Sequence, residues 1–168
     1  MNTGPIAGNL TLLRQGLALL GQISDDVYQA TPGRSSVGAQ YRHILDHYVC
    51  LLDGLPSGSI DYDARRRDPQ VEADPRVAAR LTDDLLRRLD DLMETDLDHP
   101  LHVHLAPTAD SADGVRYGST AGRELLFLIS HTVHHFAIIR LQLDEVAISF
   151  DAEFGVAPST LAFHRAAG

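Results

Sequence analysis

The chain of 168 residues carries a formal net charge of −9, and 44% of its residues are hydrophobic. This length and composition suit one globular domain, so we expect a single domain over residues 1–168. The negative charge argues against a surface that binds nucleic acid or anionic membranes. Cys50 is the only cysteine, which excludes an intrachain disulfide. Because the sequence shows neither a signal-peptide pattern nor an apolar run of membrane-spanning length, we expect a cytoplasmic protein.

The first third of the chain contains two amphipathic helical patterns. Apolar residues recur at spacings of three and four from about Pro5 to Gln29, which predicts one helix ending before the Pro-Gly pair of "ATPGRSS". A second pattern runs from about Ser36 to Leu55, with Ser35 or Ser36 as its N-cap. The sequence "GLPSGS" ends it.

The rest of the chain adds two further helical patterns and a candidate hairpin. The third helix begins with Asp74 as N-cap and Pro75 at the first helical position, and it continues to about Leu97. The fourth runs from about Thr120 to Ala147. Between them, "LHVHLA" alternates like a strand, and "GVRYG" is its candidate partner. The C-terminal tail shows no clear period.

Four amphipathic helices predict an all-α four-helix bundle, because each helix must bury its apolar stripe against the others. The connections after the second helix (residues 56–74) and after the third (residues 98–118) are long. A crossover is therefore possible, and simple up-down-up-down order is not required.

The stretch "ISHTVHHFAI" places three histidines in an apolar run of the fourth helix. Each helical residue turns by about 100°, so His131 and His135 lie on the same face, at the edge of the apolar stripe. His134 falls on the solvent side of the helix. We therefore predict one inward-facing pair and one exposed histidine.

The second helix repeats this arrangement in "YRHILDHY", where His43 and His47 are also four residues apart. If the two helices are antiparallel neighbours, both pairs lie at similar depth in the bundle. Neutral imidazole is a common ligand of zinc, nickel and ferrous iron, and three imidazoles leave positions open for water or substrate. A single HxxxH pair is more often a surface or core feature. Two pairs at the edges of buried stripes make a metal site an equal alternative to ordinary polar histidines.

The segments "SVGAQYRHILDHY" and "LLFLISHTVHHFAII" resemble the two histidine motifs of the DinB/YfiT-like superfamily. The resemblance covers nearly the whole chain, and it implies a four-helix bundle with up-down-down-up topology. It also implies that His43, His131 and His135 form a metal-binding triad. His47 departs from the simplest family pattern, and it is open whether it is a fourth ligand, a partner of the ligands or a proton shuttle.

The resemblance further implies a divalent-metal-dependent enzyme, because some relatives use a metal to hold a low-molecular-weight thiol as the nucleophilic thiolate. Zinc or nickel is expected, with iron or manganese as further options. Such thiols carry carboxylates, and Arg65, Arg66 and Arg67 are candidates to bind them. An arginine triplet is also an ordinary solvated surface run. The superfamily resemblance also suggests a homodimer acting on a small-molecule substrate.

Two alternatives to the thiol-transfer hypothesis stay open, namely a metal-dependent hydrolase and a non-catalytic bundle whose histidines or metal merely stabilise the fold or a dimer. A catalytic site predicts three histidines and an open cleft, whereas a structural site predicts closure by His47 or an acidic residue. Tyr62 is a candidate hydroxyl near the site, and Arg123 and Glu124 are candidates to pair with loop residues. Asp46 is a candidate to orient a histidine or to neutralise the metal charge, but as an exposed helical acid it needs no special role.

Overall fold

The computed structural model of the chain describes residues 4–30, 35–92, 97–108, 110, 114–144, 146, 148–149 and 151–167. The protein is mainly helical, as predicted, and a small sheet is added to the helices. In chain order the helices are α1 (Pro5–Leu20), α2 (Asp25–Gln29), α3 (Val37–Gly54), α4 (Pro69–Ala73), α5 (Pro75–Asp90), α6 (Ala121–Gln142) and α7 (Pro158–Ala167). The strands are β1 (Ser59–Asp61), β2 (Pro100–Leu105) and β3 (Val115–Thr120).

The first predicted helix is in fact two helices, α1 and α2. Gly21 ends α1, and its N–H donates to the Leu17 carbonyl at 3.2 Å. Ser24 then begins α2 by accepting a hydrogen bond from the Val27 N–H at 3.3 Å. The prediction of one continuous helix was wrong because Ile23, between the two caps, is still buried and therefore prolongs the apolar period.

Helices α3 and α6, which carry the histidine pairs, begin where the sequence predicts. The hydroxyl of Ser36 accepts a hydrogen bond from the Ala39 N–H at 3.0 Å. Thr120 caps α6 in the same way, accepting from the Arg123 N–H at 3.2 Å. Both are N-cap interactions of the usual kind. Helix α6 ends at Gln142, earlier than predicted, and the predicted end at residue 147 lies outside the described residues.

Helix α5 confirms the predicted start but not the predicted end. Asp74 accepts a hydrogen bond from the Arg76 N–H at 2.8 Å, and Pro75 occupies the first helical position. The helix ends at Asp90, where the N–H of Asp91 bonds back to the Arg87 carbonyl at 3.1 Å. Residues 93–96 of the predicted extension lie outside the described part of the chain.

The sheet has the strand order β1-β2-β3. The antiparallel pairing of β2 with β3 confirms the predicted hairpin, with Val103 opposite Tyr117. Strand β1 pairs in parallel with β2, and Ile60 is the partner of Val103. This strand was not predicted because three residues are too short to show an alternating period. Helix α7 was also missed, since its apolar residues show no clear period and none of its residues is buried.

Helices α1, α3, α5 and α6 pack against one another around a common core. Helices α3 and α6 run in opposite directions, because the Gln142 side chain donates to the Ser35 carbonyl at 2.7 Å while Tyr48 lies 3.1 Å from Thr132. The full up-down-down-up order stays a prediction. Among the described residues, no helix is both long enough and apolar enough to cross a membrane.

Candidate metal centre

The histidines of α3 and α6 meet between the two helices. The Nε2 atoms of His43 and His131 are 3.1 Å apart, and the ring centroids of His43 and His135 are 4.6 Å apart. One ring nitrogen from each of these three residues lies within 4.8 Å of the others. All three side chains are half-buried. We call His43, His131 and His135 the histidine cluster.

His47 borders the histidine cluster but has a different environment. It is buried, and its Nδ1 is 2.7 Å from the carbonyl oxygen of His43. A neutral imidazole that donates from Nδ1 keeps its lone pair on Nε2. Its ring stacks on Tyr62 at 5.4 Å and lies 4.1 Å from the ring of His131. His47 therefore packs against the ring of His131 without belonging to the histidine cluster.

The two cluster histidines of α6 differ in their polar contacts. The Nδ1 atom of His135 is 2.5 Å from the Oε1 atom of Gln40 on α3. If Nδ1–H donates to this amide oxygen, Nε2 carries the lone pair and faces the cluster. The Nδ1 atom of His131 is buried without a hydrogen-bond partner among the described residues. His134 is exposed, as predicted.

Burial keeps these imidazoles neutral. Desolvation lowers the pKa of His43, His47 and His135 to about 4. The effect is greatest for His131, whose pKa falls to about 2, and repulsion from the neighbouring imidazoles adds to the desolvation. Neutral imidazole is the form that binds metal ions, so the fold holds the histidines in the ligating state.

The three imidazole nitrogens of the histidine cluster fit a divalent metal ion. Two nitrogens that share one ion at bond lengths of about 2.0–2.1 Å are separated by about 3.0–3.4 Å. The separation of 3.1 Å between the Nε2 atoms of His43 and His131 falls in this range. Three neutral nitrogens from two rigid helices match the ligand count of a catalytic zinc site, which keeps further positions open.

Aromatic and acidic side chains cover one side of the histidine cluster. Phe127 lies 5.6 Å from the ring of His131 and 5.5 Å from that of Tyr62. The Tyr62 hydroxyl donates to the buried carboxylate of Glu124 at 2.9 Å. Ser119 donates to the same carboxylate at 2.5 Å. Tyr62 is therefore held against His47. Glu124 pairs with one loop residue, Tyr62, as the sequence suggested, and with Ser119 of β3. Arg123 forms an ion pair with Glu124 itself at 3.2 Å.

The three consecutive arginines, Arg65, Arg66 and Arg67, have different environments. Arg66 turns away from the cluster and forms an ion pair with Asp53 at 2.8 Å. Arg65 and Arg67 lie close enough to His43 for their charges to lower its pKa further. The Arg65 guanidinium donates to the Tyr62 carbonyl. Arg42 acts on the pKa of His43 in the same direction, so three cationic side chains lie within electrostatic reach of the cluster in a chain that is acidic as a whole.

Asp46 corrects an expectation from the sequence, because it is buried rather than exposed. Its carboxylate accepts a hydrogen bond from the backbone N–H of Arg67, and burial raises its pKa. Arg67 has a φ of 50°, a left-handed conformation that is uncommon for a residue with a side chain. Asp46 therefore anchors the arginine loop to α3.

Two further residues at the site were not found from the sequence. Gln40 lies one turn before His43 on the same face of α3, and this spacing was the signal available. Phe127 lies four residues before His131 and followed the same rule. Cys50, by contrast, is a half-buried thiol whose pKa is raised to about 11 by burial, which makes it a poor ligand or nucleophile at neutral pH.

Replacing Gln40 by alanine is expected to weaken zinc binding by about tenfold to a hundredfold, because partners of the ligands orient them and contribute to affinity on this scale. The Gln40→Ala variant keeps all three histidines, so the number of bound ions at saturation should not change. Competition titration with a chromogenic chelator measures the affinity. Gln22→Ala, which removes an exposed glutamine elsewhere, is the control, and equal affinities in both variants would contradict the role of Gln40.

The metal-free protein is expected to lose stability as the pH falls from about 6.5 to 4. In the unfolded chain the cluster histidines and His47 take up protons near pH 6.5, whereas in the fold they stay neutral down to about pH 4 or below. The unfolded state therefore binds more protons in this window, and unfolding becomes easier.

Thermal denaturation followed by circular dichroism between pH 7 and pH 4.5 checks this expectation. His131→Gln should reduce the dependence of Tm on pH, since glutamine does not titrate. His134→Gln, at an exposed position of the same helix, should leave it as in the original protein. A Tm that stays constant over this range would show that the histidines are not held neutral.

A mainly helical fold with three converging histidines defines a helical-bundle protein with a candidate metal site. The sequence profile of the DinB superfamily matches residues 12–139, and the chain belongs to this superfamily. A DinB-like protein (YjoA) from Bacillus subtilis has a similar structure, with a TM-score of 0.62, 19% sequence identity and coverage of 86% of this chain and 92% of the other. At this identity the similarity shows the fold alone.

A second similarity is to a longer protein, the FK506-binding protein 5 of Rhizopus delemar. The two sequences are 34% identical over 171 aligned positions. The alignment covers 96% of this chain and 41% of the fungal protein. The chain thus spans less than half the length of this relative, and the relative's name describes the whole fungal protein.

Proposed function

We propose that this protein is a divalent-metal-dependent enzyme that transfers a low-molecular-weight thiol to an electrophilic small molecule. The observation that carries the proposal is the convergence of three neutral imidazoles within 4.8 Å of one another. His43, His131 and His135 are the residues that would hold the ion, with zinc or nickel expected from the all-nitrogen donor set. His47 would act as a partner of the ligands.

When bound, such an ion lowers the pKa of a coordinated thiol, so that the thiol is held as the thiolate at neutral pH. In the transfer, the sulfur forms a bond to the electrophilic carbon, the leaving group departs with its electron pair, and the thiol proton passes to solvent. Phe127, whose ring lies 5.6 Å from that of His131, would shield one side of a bound thiol from water. Arg65 and Arg67 attract an anionic cosubstrate to His43, and a guanidinium suits carboxylate recognition.

A non-catalytic bundle is the second candidate, and one observation favours it. The ring of His47 is only 4.1 Å from that of His131, so a fourth imidazole is near enough to close the site. A closed site with four protein ligands is typical of structural zinc. The up-down-down-up topology and the homodimer belong to the proposal in either case.

A rate assay on the zinc-loaded and the nickel-loaded protein tests the enzyme hypothesis. Cysteine, glutathione, bacillithiol and mycothiol are each tested against 1-chloro-2,4-dinitrobenzene, and one of them should react faster than in the absence of protein. His43→Ala should remove this acceleration, and His134→Ala should retain it. Arg65→Ala should raise the KM for the thiol more than it lowers kcat.

The other outcomes separate the alternatives. If the metal-bound protein does not accelerate the reaction of any of these thiols, the non-catalytic bundle is favoured. Metal-dependent cleavage of an ester without added thiol would favour a hydrolase. Acceleration that persists in His43→Ala would contradict the assignment of the site.

A further inference from the structure

Strand β3 forms one edge of the sheet, and its outer side is unpaired among the described residues. It pairs with β2 in a continuous register, from Val115 opposite Leu105 to Thr120 opposite Pro100. Within these six described residues there is no proline and no bulge, and Arg116 is the only charged residue. Charges, prolines and bulges are the devices that protect edge strands from other chains. Strand β1, at the opposite edge, is only three residues long and packs against α3, so β3 is the open edge of the sheet.

The hydrogen bonds between β1 and β2 define which backbone groups of β2 face β3. The N–H of His102 donates to the Gly58 carbonyl at 2.9 Å, and the carbonyl of His104 accepts from the Tyr62 N–H at 3.3 Å. The backbone groups of His102 and His104 therefore point toward β1. Because successive residues of a strand point their N–H and C=O groups to alternate sides, those of Val103 point toward β3.

The same alternation continues on β3. Tyr117 is the partner of Val103, so its backbone N–H and C=O are bonded to β2. The N–H and C=O groups of Arg116 and Gly118, on either side of it, point away from β2 at the free edge. Both residues are exposed, and a Cβ atom built on Gly118 would meet no atom of the described residues within 4 Å. The edge thus presents two N–H donors and two C=O acceptors in open space.

The side chains of β3 favour an identical strand as the partner. When two β3 strands pair in antiparallel fashion about a twofold axis at Tyr117, Arg116 of each copy lies opposite Gly118 of the other as a hydrogen-bonded pair. Arg116 then meets no opposing side chain. The two Tyr117 side chains, each 63% exposed in the single chain, form the central non-hydrogen-bonded pair, where side chains are closest and aromatic pairs stabilise a sheet. Strand β3 is therefore complementary to itself in backbone and in side chains.

We propose that two copies of the chain associate through β3 as an antiparallel pair, which joins two three-stranded sheets into one sheet of six strands. This inference rests on the homodimer of the proposed function, and it adds the surface through which the two copies meet. Strand β3 contributes no residue to the histidine cluster, so the contact requires no bound ion.

Sedimentation velocity of the full chain tests the inference, and the original protein should be a dimer. Gly118→Pro should weaken the dimer by at least about tenfold, because it removes an outward N–H from each copy and leaves the bonds to β2 intact. Gly118→Ala is the matched control, since it keeps the N–H and its methyl group fits in open space, and it should form the dimer as the original protein does. Circular dichroism spectra and metal content should be the same in both variants.

Disulfide cross-linking tests the position of the twofold axis. Tyr117→Cys in a Cys50→Ser chain should form a linked dimer under mild oxidation, because the Cα atoms of non-hydrogen-bonded partners are about 4.5 Å apart, within the range of a disulfide. Phe163→Cys in the same Cys50→Ser chain is the control, since Phe163 is a highly exposed hydrophobic residue outside the sheet, and it should not be linked.

The failures of this inference and of the proposed function are distinguishable. A monomeric original protein would overturn the inference together with the homodimer. A dimer that persists unchanged in Gly118→Pro would overturn the inference alone and assign the homodimer to another surface. Cross-linking of Tyr117→Cys that does not exceed that of Phe163→Cys would overturn it as well. Metal content and the rate of thiol transfer, measured on the same samples, report on the histidine cluster and not on β3.

Discussion

Replacing His135 by alanine is expected to lower the bound zinc or nickel from about one ion per chain to near zero after dialysis, because only two of the three nitrogens remain. His43→Ala should have the same effect, since its Nε2 atom faces that of His131 at 3.1 Å. Mass spectrometry with an inductively coupled plasma measures the metal after saturation and dialysis. His134→Ala is the matched control, because it removes an exposed imidazole from the same helix.

The same measurement on His47→Ala separates a ligand from a partner of the ligands. We expect one ion per chain at saturation with reduced affinity, because Nδ1 of His47 is bonded to the His43 carbonyl and the residue lies outside the three-histidine group. Complete loss of metal would make His47 a fourth ligand and favour a structural site. Equal metal content in His135→Ala and His134→Ala would contradict the site itself.

The positions of the histidines could be predicted from the sequence because helical spacing is a local property. Residues four apart share a helix face whatever the rest of the chain does, so the pairs in α3 and α6 followed from their numbers. The exposure of His134 followed from the same rule. The meeting of the two pairs depends on how the helices pack, and the family resemblance supplied that step.

The residues around the histidines were harder to predict, because they depend on segments distant in sequence. Asp46 is buried, and its carboxylate is paired with the backbone N–H of Arg67, about twenty residues further along the chain. Tyr62 reaches His47 because β1 pairs with β2 across about forty residues. Neither contact has a local signal. The predicted helix boundaries were wrong where a capping residue interrupts the apolar pattern, as at Gly21.

The histidine cluster also depends on a buried polar network that joins three helices. Asn9 of α1 is fully buried, and its amide nitrogen donates to the carbonyls of Pro5 and Leu125 at 2.8 and 2.9 Å. Its side-chain oxygen accepts a hydrogen bond from the Tyr48 hydroxyl at 2.7 Å. Tyr48 in turn lies 3.1 Å from the hydroxyl of Thr132. A fully satisfied network of this kind specifies one packing of the helices.

Replacing Asn9 by alanine is expected to lower the free energy of unfolding by about 3 kcal/mol, because it leaves buried polar partners unsatisfied and creates a cavity. Tyr48→Phe removes only the hydroxyl and should cost about 1 kcal/mol. Urea denaturation followed by circular dichroism measures both. Thr11→Ala is the control on the same helix, since its hydroxyl is exposed and donates to the Ala7 carbonyl; it should change stability by less than about 0.5 kcal/mol.

The network bears on the metal site because its members adjoin the histidines in sequence. Tyr48 follows His47 on α3, and Thr132 follows His131 on α6. Their contact therefore fixes the position of α3 relative to α6 along the helix axes. This position determines the distance between the Nε2 atoms of His43 and His131. Asn9→Ala should accordingly weaken zinc binding as well as stability, whereas Thr11→Ala should affect neither. Unfolding free energies that agree for these two variants would show that the network does not hold the helices in register.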